Sequence, residues 1–151
     1  MSQFRRILLA SDFSPASRPA FRRALGLARA NRASLTIVHV YSIIVPMMGE
    51  GYVTGQVYDK WMADVRADAQ RRLGRLVAQA RKSGVRAKGL VLEGIPHDRI
   101  VRAARSTRAD LVVLGTHGRT GLGRVFLGSV AARVVTLAPC PVLTVRARYS
   151  N

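Results

Sequence analysis

The sequence predicts an α/β fold, an open parallel sheet with helices on both faces. Three observations predict it. Short apolar runs alternate with longer segments of helical period along the 151 residues. The run Ala109-Asp-Leu-Val-Val-Leu-Gly115 has almost no polar interruption, as expected of a strand covered on both faces. No composition shift, linker or internal repeat divides the chain, so a single domain over residues 1–151 is expected.

Each element follows from local chemistry. Ile7-Leu-Leu-Ala10 is too short for a helix and ends in the turn residues Ser11-Asp-Phe-Ser14, which makes it a buried strand. Ser14 and Ser17 offer helix caps, and Pro15 and Pro19 fall early enough to be tolerated. Phe21, Ala24, Leu25 and Ala28 then share a helical face. Ser34–Tyr41 is rich in β-branched residues and reads as the second strand. Residues 42–57 carry Pro46 and three glycines without a period and read as a long loop. From about Tyr58 to Lys82, apolar residues recur every three or four positions from Trp61 to Ala80. This is a long amphipathic helix whose apolar face, Trp61 included, is expected in the core. Ala87–Glu93 is the third strand, and a helix starts around Gly94-Ile-Pro-His-Asp98. Ala109–Gly115 is the fourth strand, Leu127 to about Ala138 the last helix, and Pro141–Arg146 the closing strand.

Composition narrows the functional classes. No apolar run approaches the roughly 18 residues that span a bilayer, and the N-terminal segment does not read as a secretory signal. Cys140 is the only cysteine, which excludes an internal disulfide framework and multi-cysteine metal sites and fits a reducing cytoplasm. Lys and Arg number 25 against 8 Asp and Glu, a formal net charge of +17. Only Lys60, Lys82 and Lys88 are lysines. Such a balance favours acidic partners, or reflects arginine-rich solvated helix faces. Nucleic acid fits the charge, but the basic stretches lack interleaved aromatics and a helix-turn-helix signal.

The densest chemical signal is Gly115-Thr-His-Gly-Arg-Thr-Gly-Leu-Gly-Arg-Val-Phe-Leu-Gly-Ser129. Glycines allow backbone N–H groups to approach an anion closely, and the following helix directs its free N–H groups to the same place. Phosphate is the natural guest; a tight crossover turn is the plainer use of such a segment. A P-loop is excluded because Arg124 and Val125 stand where Lys and Ser/Thr are needed. A dinucleotide fingerprint would need glycine at Phe126.

Gly115-x-x-Gly118, nine residues, then Gly128-Ser129 resembles the ATP-binding signature of the universal stress protein family. Ile7–Ser14, Val38-His-Val40, Ala109–Leu122 and Pro139–Val145 are similar to that family's first strand and acidic turn, second strand, most distinctive stretch and closing strand. The resemblance covers nearly the whole chain. It implies a Rossmann-like sheet of order 3-2-1-4-5, with a ligand crevice between strands one and four. It further implies ATP, with or without Mg²⁺, held as follows. Asp12 would face the ribose or base, and backbone near Val40 the adenine. Gly115, Thr116, His117 and Gly118 would line the ribose and phosphate path. Arg119, the N–H groups of Ser129 and Val130 and the Ser129 hydroxyl would hold phosphate. Ala10, in the base pocket, departs from the proline common in ATP-binding relatives. A homodimer through the last strand and a regulatory protein partner are also implied.

The functional expectation is therefore a nucleotide-responsive stress regulator or signalling module. The alternatives are a slow Mg²⁺-dependent ATP hydrolase and a basic nucleic-acid-binding domain. No side chain qualifies as a water-activating base; His117 comes nearest. Asp12 could instead only cap the first helix turn. His39 reads as a packed, hydrogen-bonded histidine, His97 as solvated and Cys140 as inert. No His/Cys/Asp cluster suggests a metal site.

Overall fold

The computed structural model describes residues 4–42, 55–117 and 127–147. Five strands form one parallel sheet: β1 (Arg6–Ala10), β2 (Ser34–Tyr41), β3 (Ala87–Glu93), β4 (Leu111–Gly115) and β5 (Val142–Val145), in the order β3-β2-β1-β4-β5. The helices are α1 (Arg18–Asn31), α2 (Gly55–Lys82), α3 (Pro96–Ser106) and α4 (Ser129–Leu137), with a 3-10 turn at Pro15–Ser17 ahead of α1. The alternation expected from the sequence is therefore present, and so is the strand order.

Burial follows the two-sided logic of a covered sheet. Ile7, Leu9, Leu35, Ile37 and Val113 point to the face packed by α1 and α2. Their neighbours Leu8, Ala10, Val38, Val112 and Leu114 point to the face packed by α3 and α4. Alternate residues thus enter opposite cores, the period-two rule applied to a strand with no solvent face. Register is pinned by Leu9 opposite both Ile37 and Val113.

Element boundaries moved where tertiary contacts intervene. β4 begins at Leu111, two residues later than expected, because the Asp110 carboxylate takes the backbone N–H groups of Arg5 (2.9 Å) and Arg6 (3.1 Å). α4 begins at Ser129 rather than Leu127, since Gly128 closes the preceding loop instead. α2 starts at Gly55, three residues earlier than expected. The core assignment of Trp61 is corrected: it is 42 % exposed. A 28-residue helix is roughly 42 Å long, whereas seven-residue β3 spans roughly 23 Å. The buried stripe of α2 is Ala69, Leu73, Val77 and Ala80, and its first turns run past the sheet. Of the expected loop at 42–57, residues 43–54 lie outside the described residues. Among the described residues, no helix is long and apolar enough to cross a membrane.

Candidate functional site

All five strands run the same way, so their C-terminal ends share one edge of the sheet. The chain leaves β1 toward β2 on one side, and β4 toward β5 on the other. Neighbouring strands whose connections diverge leave a crevice, the usual ligand position of open α/β sheets.

The first wall is the turn after β1. Ala10 is buried at the strand end, opposite Val38. Ser11 N–H donates to Val38 O at 3.0 Å, which extends the β1–β2 pairing by one residue. Asp12 Oδ1 accepts the Ser14 N–H at 2.9 Å, an Asx turn. Asp12 thus closes a turn ahead of the 3-10 turn and does not cap a helix; the N-cap there is Ser14, with no side-chain cap bond. Phe13 takes a left-handed backbone, φ 63°, which is costly for an aromatic residue. Its ring stacks on His39 at a centroid distance of 4.1 Å, an arrangement that compensates the strain. His39 is buried, and its Nδ1 lies 2.8 Å from Ser11 O, so the packed histidine expected from the sequence holds the turn in place. Ser17 Oγ donates to Ser14 O at 2.7 Å and lies 3.3 Å from Ser11 Oγ, joining the turn to the start of α1.

The second wall is the end of β4 and the entry to α4. Thr116 N–H donates to Val145 O at 3.0 Å, anchoring the strand end on β5. Gly115 packs beside the first wall: a Cβ there would lie 3.4 Å from Ala16 O and 3.9 Å from Ser17 Cα. Thr116 Oγ1 lies 3.0 Å from His117 Nδ1. Gly128 N–H donates to Thr116 O at 2.7 Å, bringing the start of α4 against the end of β4. A Cβ on Gly128 would come within 2.9 Å of that same oxygen, so only glycine fits without a shift. The N-cap of α4 is Gly128, which has no side chain to cap with; among the described residues the helix has no side-chain cap bond, and its first turn holds no acidic residue. Its first intrahelical bond is Ala132 N–H to Gly128 O, so the preceding N–H groups, Ser129 and Val130 among them, have no partner within the helix. Ser129 is exposed and Val130 half-buried.

Two buried polar atoms have no hydrogen-bond partner among the described residues: Ser14 Oγ in the first wall and His117 Nε2 in the second. Buried polar atoms are usually satisfied, so each marks a position where a missing partner belongs. Where the Thr116 hydroxyl donates to Nδ1, a neutral His117 offers Nε2 as a donor; in the other tautomer Nε2 is an acceptor. Sequence reading did not single out Ser14, Ser17 or Phe13 as parts of the site. The Ser-Asp-Phe-Ser turn signal was there, but the contacts that give it shape are tertiary.

The expected site residues divide accordingly. Ala10 and Asp12 lie at the end of β1, and Gly115, Thr116, His117, Gly128, Ser129 and Val130 at the end of β4 and the start of α4; the closest approaches among these parts are Gly115 beside Ala16 and Ser17, and Gly128 against Thr116. Val40 is half-buried near the end of β2, paired with Leu92 of β3. Beyond it, Tyr41 Oη donates to Glu93 Oε2 at 3.1 Å. Burial, then the hydrogen bond to Glu93, raise the Tyr41 hydroxyl above its ordinary pKa. Gly118 and Arg119 lie outside the described residues. His97 is half-buried in the first turn of α3, less solvated than expected. Among the described residues, no group of three or more His, Cys, Asp or Glu side chains could hold a metal ion.

An open parallel sheet with a glycine-closed, uncapped helix start at its switch point defines a class of small-ligand-binding α/β proteins. The particular family is set by comparison. The family model described as "Universal stress protein family" matches residues 3–146, and the chain belongs to that family. A universal stress protein of Thermus aquaticus is 36 % identical over 143 residues, covering 95 % of this chain and 99 % of its own. The solved structure of UspA from Lactobacillus plantarum is 27 % identical, with a TM-score of 0.81 over 97 % of this chain and all of that one. A universal stress protein solved in complex with cAMP is 25 % identical, with a TM-score of 0.70 over 95 % of this chain and 97 % of that one.

Proposed function

We propose that the crevice between β1 and β4 binds an adenine nucleotide, with ATP the expected ligand, and that the chain acts as a nucleotide-responsive regulatory module. The observation that carries this reading is the uncapped start of α4, held against Thr116 by Gly128, beside two buried polar atoms that lack partners. Free N–H groups at a helix start favour phosphate. The Ser129 and Val130 N–H groups and the Ser129 hydroxyl would take phosphate oxygens, with Gly118 and Arg119 completing that side. His117 Nε2 and Ser14 Oγ would meet the ligand along its path. Asp12 would face the ribose from its Asx turn, and Ala10 and the backbone near Val40 would border the base. The relative solved with cAMP supports an adenine-containing ligand.

Mg²⁺, if carried in with a triphosphate, would take its remaining ligands from phosphate and water, because the described residues supply no carboxylate or histidine cluster. The edge strand β5 would pair with a second copy, which also protects an otherwise bare edge. The binding reading is tested by denaturing the purified protein and identifying released nucleotide by chromatography. An adenine nucleotide near one per chain supports it. A stripped protein that then fails to take up ATP, ADP, AMP or cAMP contradicts it. The regulatory reading expects retained nucleotide with negligible turnover; steady phosphate release would contradict it.

A further inference from the structure

The opposite edge of the sheet carries a separate feature. There the strands begin and the four helices end. Backbone bonds tie these ends into one surface: Ser34 N–H to Arg5 O (2.9 Å), Leu35 N–H to Arg86 O (2.8 Å) and Asp110 N–H to Arg6 O (2.9 Å). Among the exposed arginines on it are Arg5, Arg29, Arg32, Arg86, Arg105 and Arg108. Between the ends of α1 and α2, Arg29, Arg32 and Arg86 line a cleft of about 460 Å³.

Among the described residues, every acid except Asp110 lies away from this edge. Asp12, Glu93 and Asp98 lie at the strands' C-terminal ends, and Asp59, Asp64 and Asp68 fall in the first half of α2. Asp110 is the acid at this edge among the described residues, and its carboxylate is engaged by backbone N–H groups. The three ion pairs among the described residues join Asp68 to Arg71 and Arg72, and Asp98 to Arg102. None involves the six arginines. The C-terminal ends of four helices account for some positive charge, roughly half a unit each, and the arginines exceed that.

A second observation is conformational. Arg32 and Arg108, just past the ends of α1 and α3, have φ of 53° and 50°. Helices commonly end on a left-handed residue, but glycine holds that position most cheaply, as Gly84 does after α2 with φ 83°. At two helix ends the chain places arginine where glycine would be less strained. Strain maintained at one charged edge points to a use for the side chains.

We infer that this edge binds the phosphate backbone of duplex nucleic acid, independently of the nucleotide crevice at the far end of the sheet. Guanidinium groups fork onto phosphate oxygens, which suits arginine in place of lysine. The described residues place no exposed aromatic side chain at this edge, so contact is to phosphates and not to base faces. On the two helices framing the cleft, the exposed large apolar side chains are Val57 and Trp61, at the distant start of α2. The cleft therefore offers no wedge for a bilayer.

The test is fluorescence anisotropy with the full chain and a labelled mixed-sequence DNA duplex of roughly two helical turns, from about 50 to about 200 mM KCl. Binding should weaken steeply with salt and persist with saturating ATP. The double variant Arg32→Gly, Arg108→Gly should melt at the same or a higher temperature. It should bind roughly tenfold more weakly, its log K against log salt slope smaller by about two. Arg29→Gln with Arg86→Gln, both exposed, should weaken binding to a similar degree without a folding change. No binding at the lowest salt, or an unchanged affinity and slope in both variants, would overturn the inference. So would displacement by ATP, or tighter binding to anionic phospholipid vesicles or polyglutamate than to the duplex.

Discussion

Single residues carry the chemical content of the crevice. Ser14 Oγ is buried without a partner among the described residues, so on the proposed reading its hydroxyl would cost stability in the ligand-free chain and be satisfied by the ligand. Ser14→Ala should leave ligand-free stability unchanged or raise it by up to about 1 kcal/mol, while lowering ATP affinity roughly fivefold. Thermal melts with calorimetry check both signs; a destabilised variant with normal affinity would make Ser14 purely structural. Cys140 offers a test of electrostatics away from the crevice. Burial, then the negative charge of Asp110, push its thiol above the ordinary pKa. The thiol should react with a disulfide reagent more slowly in the folded protein than in denaturant. The sign of the linkage follows: a raised folded pKa means this group's contribution is full below the unfolded thiol range and declines as pH rises through it.

At the scale of elements, position relative to the sheet decides what a side chain is worth. Leu73 and Trp61 lie on the same amphipathic helix, yet Leu73 packs over Gly89 of β3 and Trp61 stands beyond the sheet. Leu73→Ala should cost about 2–5 kcal/mol, and Trp61→Ala less than about 1 kcal/mol, by denaturant unfolding. Equal costs would mean that the start of α2 is packed after all. Gly128 is the corresponding element-level test of the site. Gly128→Ala forces a Cβ against Thr116 O and should separate α4 from β4, costing about 1–3 kcal/mol and most of the nucleotide affinity. Unchanged affinity would remove the start of α4 from the binding account.

Across the whole molecule, much of the fold was legible because local signals agreed with it. β2 and β3 match their expected limits, since β-branched or apolar runs there end at turn residues. The strand order was reached through family resemblance, not periodicity. Periodicity also misplaced Trp61: it reports which face of a helix is apolar, not whether a sheet lies beneath it. In the crevice, glycine spacing located Gly115 and Gly128, and the turn after β1 located Asp12. The left-handed Phe13 and the unpartnered Ser14 and His117 atoms were not legible, because they depend on His39, Ser17 and Thr116 reaching them through the fold. The same division holds at the other edge. Sequence gave the excess of arginine, and topology gathered at least six of them at one end.

Adenine-nucleotide binding at the β1–β4 crevice is decided by calorimetric titration of the stripped protein with ATP, alongside Gly128→Ala. One saturable site per chain is expected, lost or strongly weakened in a variant that still folds. No heat of binding in the wild-type protein, or equal binding in both, would contradict it.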